Sequence, residues 1–195
     1  MRVKICGITN LDDALFSINS EADALGFNFY PKSPRYIKPE IAKEIIGKLP
    51  PFVEKVGLFV DTSPEFINLT CKEVKLTLAQ IHFEVDEDFL SKLEVPYLKV
   101  IRAKTKEDIL KDKDEFRLVD AFVEEFGGVG KRVDLSWFKD IDTSKIILAG
   151  GLTVDILEEV KRCGFYGVDV SSGVEKTKGV KDQGKIKDYI KRAKI

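Results

Sequence analysis

Short runs of apolar residues alternate with longer, charged stretches along this 195-residue chain. The runs are unbroken rather than alternating, and most of them are rich in Val, Ile, Leu and Phe. This pattern is typical of strands that are buried on both faces of a parallel sheet, because such strands have no solvent-facing side. Eight runs are present: Val3–Ile8, Ala24–Phe29, Val56–Val60, Thr77–His82, Tyr97–Arg102, Arg117–Ala121, Ile146–Ala149 and Val168–Val170.

The stretches between the runs carry the signals of helices. Asn10 can cap a helix whose first turn holds acidic residues, where carboxylates suit the helix dipole. Leu11, Ala14 and Ile18 then form an apolar stripe at helical spacing. Further helices are predicted to open at Pro39, Thr62, Thr153 and Asp182.

Eight strand-then-helix units predict a (β/α)8 barrel, also called a TIM barrel. Over this chain the units average about 24 residues each, which is tight for an architecture that usually takes about 250 residues. We therefore predict one compact α/β domain over residues 1–195, with short helices after the fifth and sixth strands. A doubly wound open sheet is the alternative architecture. The number of units and the lack of a glycine-rich turn after the first strand favour the barrel.

Charge and cysteine content argue against several classes of protein. The chain has 32 Lys and Arg against 33 Asp and Glu, which argues against a nucleic-acid partner and against a polybasic membrane surface. No apolar run approaches the roughly 20 residues of a membrane span. No leader pattern precedes the first strand, so a cytoplasmic location is expected. The three cysteines form no CxxC motif, which argues against a disulfide framework or a thiolate zinc site.

Glycine and serine follow the last two predicted strands. Gly150 and Gly151 come after the seventh strand, and Ser171, Ser172 and Gly173 come after the eighth. In (β/α)8 enzymes the phosphate site lies in these two loops, where backbone N–H groups and hydroxyls donate hydrogen bonds to an anion. We predict a phosphate site here; glycines that only serve tight turns are the alternative.

Cys6 and Asp120 lie near the ends of the first and sixth predicted strands. Each has a plain structural alternative, because a small cysteine is commonly part of a core and a strand-end carboxylate can be paired. Taken together, a thiol and a carboxylate on two strand ends could move two protons across one bound ligand. We therefore consider them a candidate acid–base pair.

Two further side chains at strand ends are candidates for ligand binding. Arg35 follows Ser33 and Pro34 in the loop after the second strand, and a stiff loop suits an arginine that captures a carboxylate or phosphate bidentately. An exposed, solvated arginine is the alternative. His82 lacks the further His or Cys partners that a zinc site needs, so a hydrogen-bonded structural histidine is the simpler interpretation. No metal site is predicted.

Nearly the whole chain, from Lys4 to Lys185, carries motifs in a fixed order. They are KICGIT at 4–9, GFNFYPKSPR at 26–35, VGLFV at 56–60, QIH at 80–82, GGVGK at 127–131, LAGGL at 148–152, VDVSSGVE at 168–175 and KD at 181–182. Together they resemble the phosphoribosylanthranilate isomerases. The resemblance implies a (β/α)8 barrel that performs an Amadori rearrangement of N-(5-phosphoribosyl)anthranilate in tryptophan biosynthesis. It implies no metal or organic cofactor, a phosphorylated small molecule as partner, and either a monomer or a homodimer.

The resemblance also implies roles for the candidate residues. Cys6 matches the general base of the family, Asp120 its general acid and Arg35 the residue that faces the anthranilate carboxylate. The two glycine and serine loops match its phosphate site, and His82 is a weaker substrate-binding candidate. Such a base needs a locally favoured thiolate, and such an acid needs a carboxyl pKa raised from about 4, which partial burial would provide.

The chain departs from the family pattern at three positions near the expected pocket wall. Phe83 replaces a glycine, Ala121 replaces a threonine and Leu135 replaces a tryptophan, and none of them alters the acid or the base. Two other functions stay open. One is a different sugar-phosphate isomerase or epimerase on the same barrel, against which the lack of paired strand-end aspartates argues. The other is a barrel that binds a metabolite without turnover, against which the retained acid–base pair argues.

Overall fold

Eight parallel strands form a closed barrel in the computed structural model of this chain, which describes residues 1–121 and 133–195. Each strand pairs with the next along the chain and β8 pairs with β1, so the open-sheet alternative is wrong and the predicted barrel is confirmed. The strands are β1 (Arg2–Cys6), β2 (Ala24–Asn28), β3 (Glu54–Phe59), β4 (Leu78–Ile81), β5 (Tyr97–Ala103), β6 (Arg117–Ala121), β7 (Ile146–Leu148) and β8 (Gly167–Val170).

Helices of very different lengths connect the strands. After β5 the connection holds only a 3₁₀ helix, Glu107–Leu110, and the described part of the connection after β6 holds another, Leu135–Phe138. The glycine-rich motif at 127–131, whose sequence we interpret as a lid after the sixth strand, lies outside the described residues. None of the helices within the described ranges is long and apolar enough to cross a membrane. The α-helices are α1 (Leu11–Asn19), α2 (Pro39–Ile46), α3 (Pro64–Val74), α4 (Glu87–Ser91), α5 (Leu157–Arg162) and α6 (Gln183–Lys194).

Capping side chains explain where several helices begin. The Asn10 side chain accepts a hydrogen bond from the backbone N–H of Asp13 at 2.8 Å, and the Asp182 side chain accepts one from Lys185 at 3.0 Å. Ser63 caps α3 in the same way, one residue later than predicted. These bonds satisfy N–H groups that the first turn of a helix leaves unpaired. The residue types that predicted these helix starts therefore form capping hydrogen bonds in the structure.

Alternation along the strands decides which side chains enter the barrel. Alternate residues of a strand share a face, so Lys4 lies on the same side of β1 as Cys6, and Asp120 lies on the same side of β6 as Leu118. Leu118 belongs to a small apolar cluster of β5, β6 and β7, separate from the main core between strands and helices. The barrel interior therefore contains the charged side chains of Lys4 and Asp120 as well as this small apolar cluster. The buried members of that cluster are Leu98, Val100, Leu118 and Ala149.

A short antiparallel hairpin follows β8, and the strand pattern did not predict it. Its hydrogen bonds tie it to the first βα unit. The hydroxyl of Thr9 donates to the carbonyl oxygen of Gly179 at 2.6 Å, and the backbone N–H of Lys181 donates to Asp13 Oδ2 at 3.0 Å. The hairpin therefore lies beside the carboxyl end of β1. Its strands are β9 (Glu175–Thr177) and β10 (Val180–Lys181).

Candidate active site

Asp120 lies near the carboxyl end of β6 and points into the barrel. Burial and the negative charge of Asp169 raise the pKa of Asp120 to about 6, while the backbone N–H of Ala121 and the positive charge of Arg102 act in the opposite direction. A carboxyl group with that pKa is still partly protonated near neutral pH, as a general acid requires. The pKa shift that the sequence analysis expected for Asp120 is therefore present.

His82 follows β4 and approaches the candidate acid. Its Nε2 lies 3.9 Å from Oδ2 of Asp120. Burial lowers the pKa of His82 to about 4, and the positive charges of Arg102 and Lys4 lower it as well. The ring is therefore neutral near pH 7, and the two groups do not form an ion pair. A role of His82 in substrate binding stays a prediction.

Cys6 ends β1 and is buried against Gly26 of β2. A Cβ atom at Gly26 would lie 2.8 Å from the Cys6 Sγ and 3.0 Å from the Lys4 Nζ, so glycine leaves room for both groups. The thiol and the ammonium group therefore flank the same small space. Burial raises the pKa of the Cys6 thiol above its ordinary value, although Lys4 and Lys181 act to lower it. The expectation that the site favours a thiolate is therefore not met.

A buried carboxylate adds to the effect of burial and opposes the effect of the Lys4 ammonium group on the thiol. The Lys4 Nζ lies 2.9 Å from Oδ1 of Asp169 on β8, and both side chains are buried. The negative charge of Asp169 acts to raise the pKa of Cys6 and offsets part of the effect of Lys4. Sequence reasoning missed this pair. The available signal was the position of Lys4, two residues before Cys6 on one strand, which puts both on one face.

Arg35 is buried at the carboxyl end of the barrel, so the interpretation as a solvated arginine is wrong. Its Nε donates to Oε1 of Glu175 at 2.7 Å and its Nη2 donates to Oε2 at 2.8 Å. A Cβ atom at Gly7 would come within 2.6 Å of Arg35 Cδ, so glycine makes room for this side chain. A guanidinium group carries five N–H groups, and this pair uses two of them. The predicted capture of a ligand carboxylate would use the edge turned away from Glu175.

Glu175 joins Arg35 to Lys181, and we call these three residues the Glu175 cluster. The Lys181 Nζ lies 3.0 Å from Glu175 Oε1 and donates to the carbonyl and hydroxyl oxygens of Ser171 at 3.3 and 3.4 Å. Burial acts to raise the pKa of Glu175, but the hydrogen bonds and charges of Arg35 and Lys181 outweigh it and hold the pKa below its ordinary value. The carboxylate therefore stays ionised. The motifs at 168–175 and 181–182 contained both residues, but no pattern assigned them a role.

The two loops predicted to bind phosphate meet at the ends of β7 and β8. Gly150 and Gly151 have positive φ angles of 84° and 59°, which glycine adopts without strain. A Cβ atom at Gly173 would lie only 2.0 Å from the carbonyl oxygen of Leu152, so the two loops are in direct contact there. Ser172 begins a short 3₁₀ helix in the second loop. The loops are thus brought together as expected, and phosphate binding stays a prediction.

The three departures from the family pattern are all part of apolar packing. Phe83 packs edge-on against Phe89 of α4, with ring centroids 5.5 Å apart. Ala121 is the buried last residue of β6, and Leu135 packs against the main core. Each of the three side chains therefore contributes to apolar packing in this chain.

Strand order decides how the candidate residues surround the barrel mouth. Cys6 on β1 and Asp120 on β6 are separated by β7 and β8, whose loops form the predicted phosphate site. Arg35 follows β2, the neighbour of β1 on its other side. The candidate acid, the candidate base and the two predicted anion-binding features therefore lie at the same end of the barrel. Such an arrangement can hold a phosphorylated ligand and move protons at its reacting carbon atoms.

The family model and the relatives of highest sequence identity point to one family. The sequence model described as "PRAI: N-(5'phosphoribosyl)anthranilate (PRA) isomerase" matches residues 3–192. A relative from a Nitratiruptor species, named N-(5'-phosphoribosyl)anthranilate isomerase, is 61% identical over 195 residues, and the match covers 100% of both chains. The crystal structure of phosphoribosyl anthranilate isomerase from Thermus thermophilus is 36% identical, with a TM-score of 0.88 and 98% of each chain covered.

A further crystal structure shows a phosphoribosyl anthranilate isomerase in complex with reduced 1-(o-carboxyphenylamino)-1-deoxyribulose 5-phosphate. It is 39% identical to this chain, has a TM-score of 0.85, and the match covers 100% of this chain and 98% of that one. The family match spans nearly the whole barrel, and the described strands close in the order that a (β/α)8 enzyme requires. This chain belongs to the N-(5'-phosphoribosyl)anthranilate isomerase family.

Proposed function

We propose that this chain isomerises N-(5'-phosphoribosyl)anthranilate to 1-(2-carboxyphenylamino)-1-deoxyribulose 5-phosphate with Cys6 as general base and Asp120 as general acid. The reaction is an Amadori rearrangement and a step of tryptophan biosynthesis. The observation that supports the two roles is a pair of contrasting environments at one barrel mouth. On β6 a carboxyl group has its pKa raised to about 6, and on β1 a buried thiol shares a small space with an ammonium group.

Ring opening is the first step of the proposed mechanism. Asp120 gives its proton to the furanose ring oxygen as the bond between C1 and that oxygen breaks. The lone pair of the substrate nitrogen forms a C1=N bond, so the step yields a cationic Schiff base and leaves Asp120 as a carboxylate. The raised pKa of Asp120 keeps the protonated form available near neutral pH.

Removal of the C2 proton by Cys6 is the second step. The electron pair of the C–H bond forms a C1=C2 double bond, and the nitrogen regains its lone pair. The resulting enolamine then tautomerises to the ketone product. A cationic Schiff base beside Cys6 would itself favour the thiolate, because a nearby positive charge lowers the pKa of a thiol. The substrate would thus supply the ionisation that burial opposes.

Two anionic groups at opposite ends of the substrate would set its orientation. The phosphate suits the loops of Gly150 and Gly151 and of Ser171 to Gly173, and the carboxylate suits the outer edge of the Arg35 guanidinium. Holding both ends would place C1 and C2 between β1 and β6. Orientation of this kind lowers a reaction barrier by several kcal/mol.

We propose a cytoplasmic location for this activity, since its substrate and product are charged, phosphorylated metabolites that do not cross membranes unaided. The partner is a phosphorylated small molecule. Both assembly states expected for the family, monomer and homodimer, are compatible with a site that the described part of one chain assembles from its own strands.

The experiment that tests the proposal is a continuous assay of substrate fluorescence. The purified protein without added metal should remove the fluorescence of phosphoribosylanthranilate with saturable kinetics, and inorganic phosphate should inhibit competitively. A dephosphorylated substrate should show a much lower kcat/KM, because binding energy from the phosphate helps to orient the reacting end. The lack of turnover would contradict the proposed function. Equal kcat/KM with and without the phosphate group would contradict the phosphate site.

A further inference from the structure

Glu175 connects the two loops that are proposed to hold the two ends of the substrate. Its two carboxylate oxygens accept hydrogen bonds from Arg35, on the loop after β2, at 2.7 and 2.8 Å. Oε1 also accepts a hydrogen bond from Lys181, which in turn donates to Ser171 in the loop after β8. Arg35 and Glu175 are 140 residues apart in sequence, so only the closed barrel brings them together.

Stability alone is a weak explanation for a buried cluster of three charges. Removing ions from water costs free energy that their attraction recovers only with good geometry, and apolar residues of similar volume are often at least as stable. The geometry of the Glu175 cluster is good, but its place is the barrel mouth rather than the core between strands and helices. Lys181 also contacts the predicted phosphate loop through Ser171. The position of the Glu175 cluster therefore indicates a role in the candidate active site.

The bidentate pair determines how the guanidinium of Arg35 is turned. Two parallel hydrogen bonds to one carboxylate fix both the plane of the guanidinium and its rotation within that plane. Because Nε and one N–H of Nη2 face Glu175, the second N–H of Nη2 and both N–H groups of Nη1 remain for a ligand. With Arg35 and Lys181 protonated and Glu175 ionised, the cluster keeps one net positive charge. That charge suits an anionic ligand.

We infer that Glu175 is a positioning residue for substrate recognition, which aims Arg35 at the aromatic carboxylate. This inference rests on the proposed function and deepens it. Glu175 itself need not touch the substrate, because its effect passes through Arg35. Replacing Glu175 should therefore change which substrate the enzyme prefers, and not only its stability.

The chain offers a matched control at the other end of the barrel. Asp23 also lies between an arginine and a lysine, with Arg2 at 2.7 Å and Lys194 at 3.0 Å. It directly precedes β2, so it lies at the amino ends of the strands, on the face opposite the candidate site. Asp23→Asn therefore disturbs a cluster of the same composition without touching either substrate loop.

The test compares two substrates in four proteins. The substrates are N-(5'-phosphoribosyl)anthranilate and the corresponding aniline compound, which lacks the carboxylate. The proteins are the parent, Glu175→Gln, Glu175→Asp and Asp23→Asn. In both Glu175 variants we expect kcat/KM for the anthranilate substrate to fall about tenfold, mainly through KM, as for the loss of one well-aimed charge-assisted hydrogen bond. For the aniline substrate we expect a change of no more than about twofold, and Asp23→Asn should affect both substrates equally little.

A double-mutant comparison shows whether Glu175 acts through Arg35. In an Arg35→Ala background, Glu175→Asp should cause no further loss of discrimination between the two substrates. Equal losses for both substrates in the Glu175 variants, or an equal loss of discrimination in Asp23→Asn, would overturn the inference. Glu175→Asp keeps the negative charge. If Glu175→Gln does not fold, the two substrates can therefore still be compared in Glu175→Asp.

The outcomes separate this inference from the proposed function. A parent protein without turnover of the anthranilate substrate would overturn both. A parent that turns the substrate over and loses discrimination on Arg35→Ala, but not on either replacement of Glu175, would keep the proposed function and overturn only the positioning role.

Discussion

Two carboxylates of this barrel each lie between an arginine and a lysine, yet their surroundings differ. In the Glu175 cluster and in the group around Asp23 alike, the arginine is 2.7 Å and the lysine 3.0 Å away. At the carboxyl end of the barrel, the side chains of Arg35, Glu175 and Lys181 are 7%, 5% and 0% exposed. At the amino end, those of Arg2, Asp23 and Lys194 are 66%, 18% and 27% exposed.

Ion pairs of similar length therefore have different consequences at the two ends. An exposed pair is screened by water and contributes at most about 1 kcal/mol to stability. A buried pair carries a desolvation penalty, and the loss of one partner leaves a charge in a medium of low dielectric constant. The buried Glu175 cluster lies at the carboxyl end, as do Cys6 and Asp120. An arginine, a lysine and a carboxylate thus form a buried cluster beside the candidate active site at one end and more exposed ion pairs at the other.

The largest expected effect is the loss of turnover when the acid or the base is removed. Asp120→Asn or Cys6→Ala should lower kcat by at least about 100-fold, the usual contribution of a positioned acid or base. Circular dichroism should stay unchanged. Cys71→Ala removes a buried thiol from α3, outside the site, and serves as the control with unchanged kcat. Near-parental turnover in a folded Asp120 or Cys6 variant would contradict the assigned roles.

Asp120→Asn should also stabilise the folded protein at neutral pH. The pKa of Asp120 is raised to about 6 in the fold. Ionisation of Asp120 therefore does not lower the free energy of unfolding of the parent below about pH 4, and lowers it as the pH rises through about 6. The shift of about two pKa units sets an upper limit of about 3 kcal/mol. Because the carboxyl group is 26% exposed, we expect about 1–2 kcal/mol.

Denaturant unfolding at an acidic and a neutral pH measures this effect. The gain from Asp120→Asn should appear near pH 7.5 and vanish near pH 4, where the parental carboxyl group is protonated in both the folded and the unfolded state. A variant that is less stable than the parent near pH 7.5 would show that burial does not disfavour the ionised carboxylate.

A smaller effect is expected on the reactivity of Cys6. Lys4 is the strongest influence that lowers the pKa of this thiol, so Lys4→Met should raise that pKa further. Alkylation of Cys6 near pH 8 should slow, because a smaller fraction of the thiol is then ionised. Cys163, a partly exposed thiol after α5, should react at an unchanged rate, and mass spectrometry distinguishes the two peptides. An unchanged rate at Cys6 would refute an effect of the ammonium group on the thiol.

The smallest effect is expected at the amino end of the barrel. Burial acts to raise the pKa of Asp23, but hydrogen bonds from Arg2, Val3 and Lys194 outweigh it and lower the pKa. Its contribution to stability is therefore present above about pH 4 and lost as the pH falls. Asp23→Asn should lower the free energy of unfolding at neutral pH by less than about 1 kcal/mol and leave kcat unchanged. A loss of turnover in Asp23→Asn would show that the amino end of the barrel also affects activity, which contradicts the contrast between the two ends.

Local patterns predicted the barrel because each strand is an unbroken apolar run between polar stretches. The strand Arg117–Ala121 has the predicted bounds, and Asn10 and Asp182 cap helices as their residue types indicate. Such features depend on neighbours within a few residues. The short 3₁₀ helix after β5 followed from chain length, since 195 residues leave little room for eight full helices.

Long-range pairs explain what the sequence could not predict. Lys4 and Asp169 are 165 residues apart and meet only because β8 pairs with β1. The bond from Arg35 to Glu175 depends likewise on the hairpin after β8, which carried no strand signal of its own. The expectation of a favoured thiolate at Cys6 failed mainly because the closed barrel buries the thiol, which raises its pKa. The negative charge of Asp169, another long-range neighbour, raises that pKa as well.

Deuterium at C2 of the substrate tests the division of labour between Cys6 and Asp120 most directly. The measurement is the ratio of kcat for the C2–H and C2–D substrates in the parent, in Cys6→Ser and in Asp120→Asn. We predict a larger ratio in Cys6→Ser than in the parent, because removal of the C2 proton then becomes the slowest step. We predict a ratio close to unity in Asp120→Asn, because ring opening then becomes the slowest step. The reverse order, or a ratio that neither substitution changes, would contradict the account.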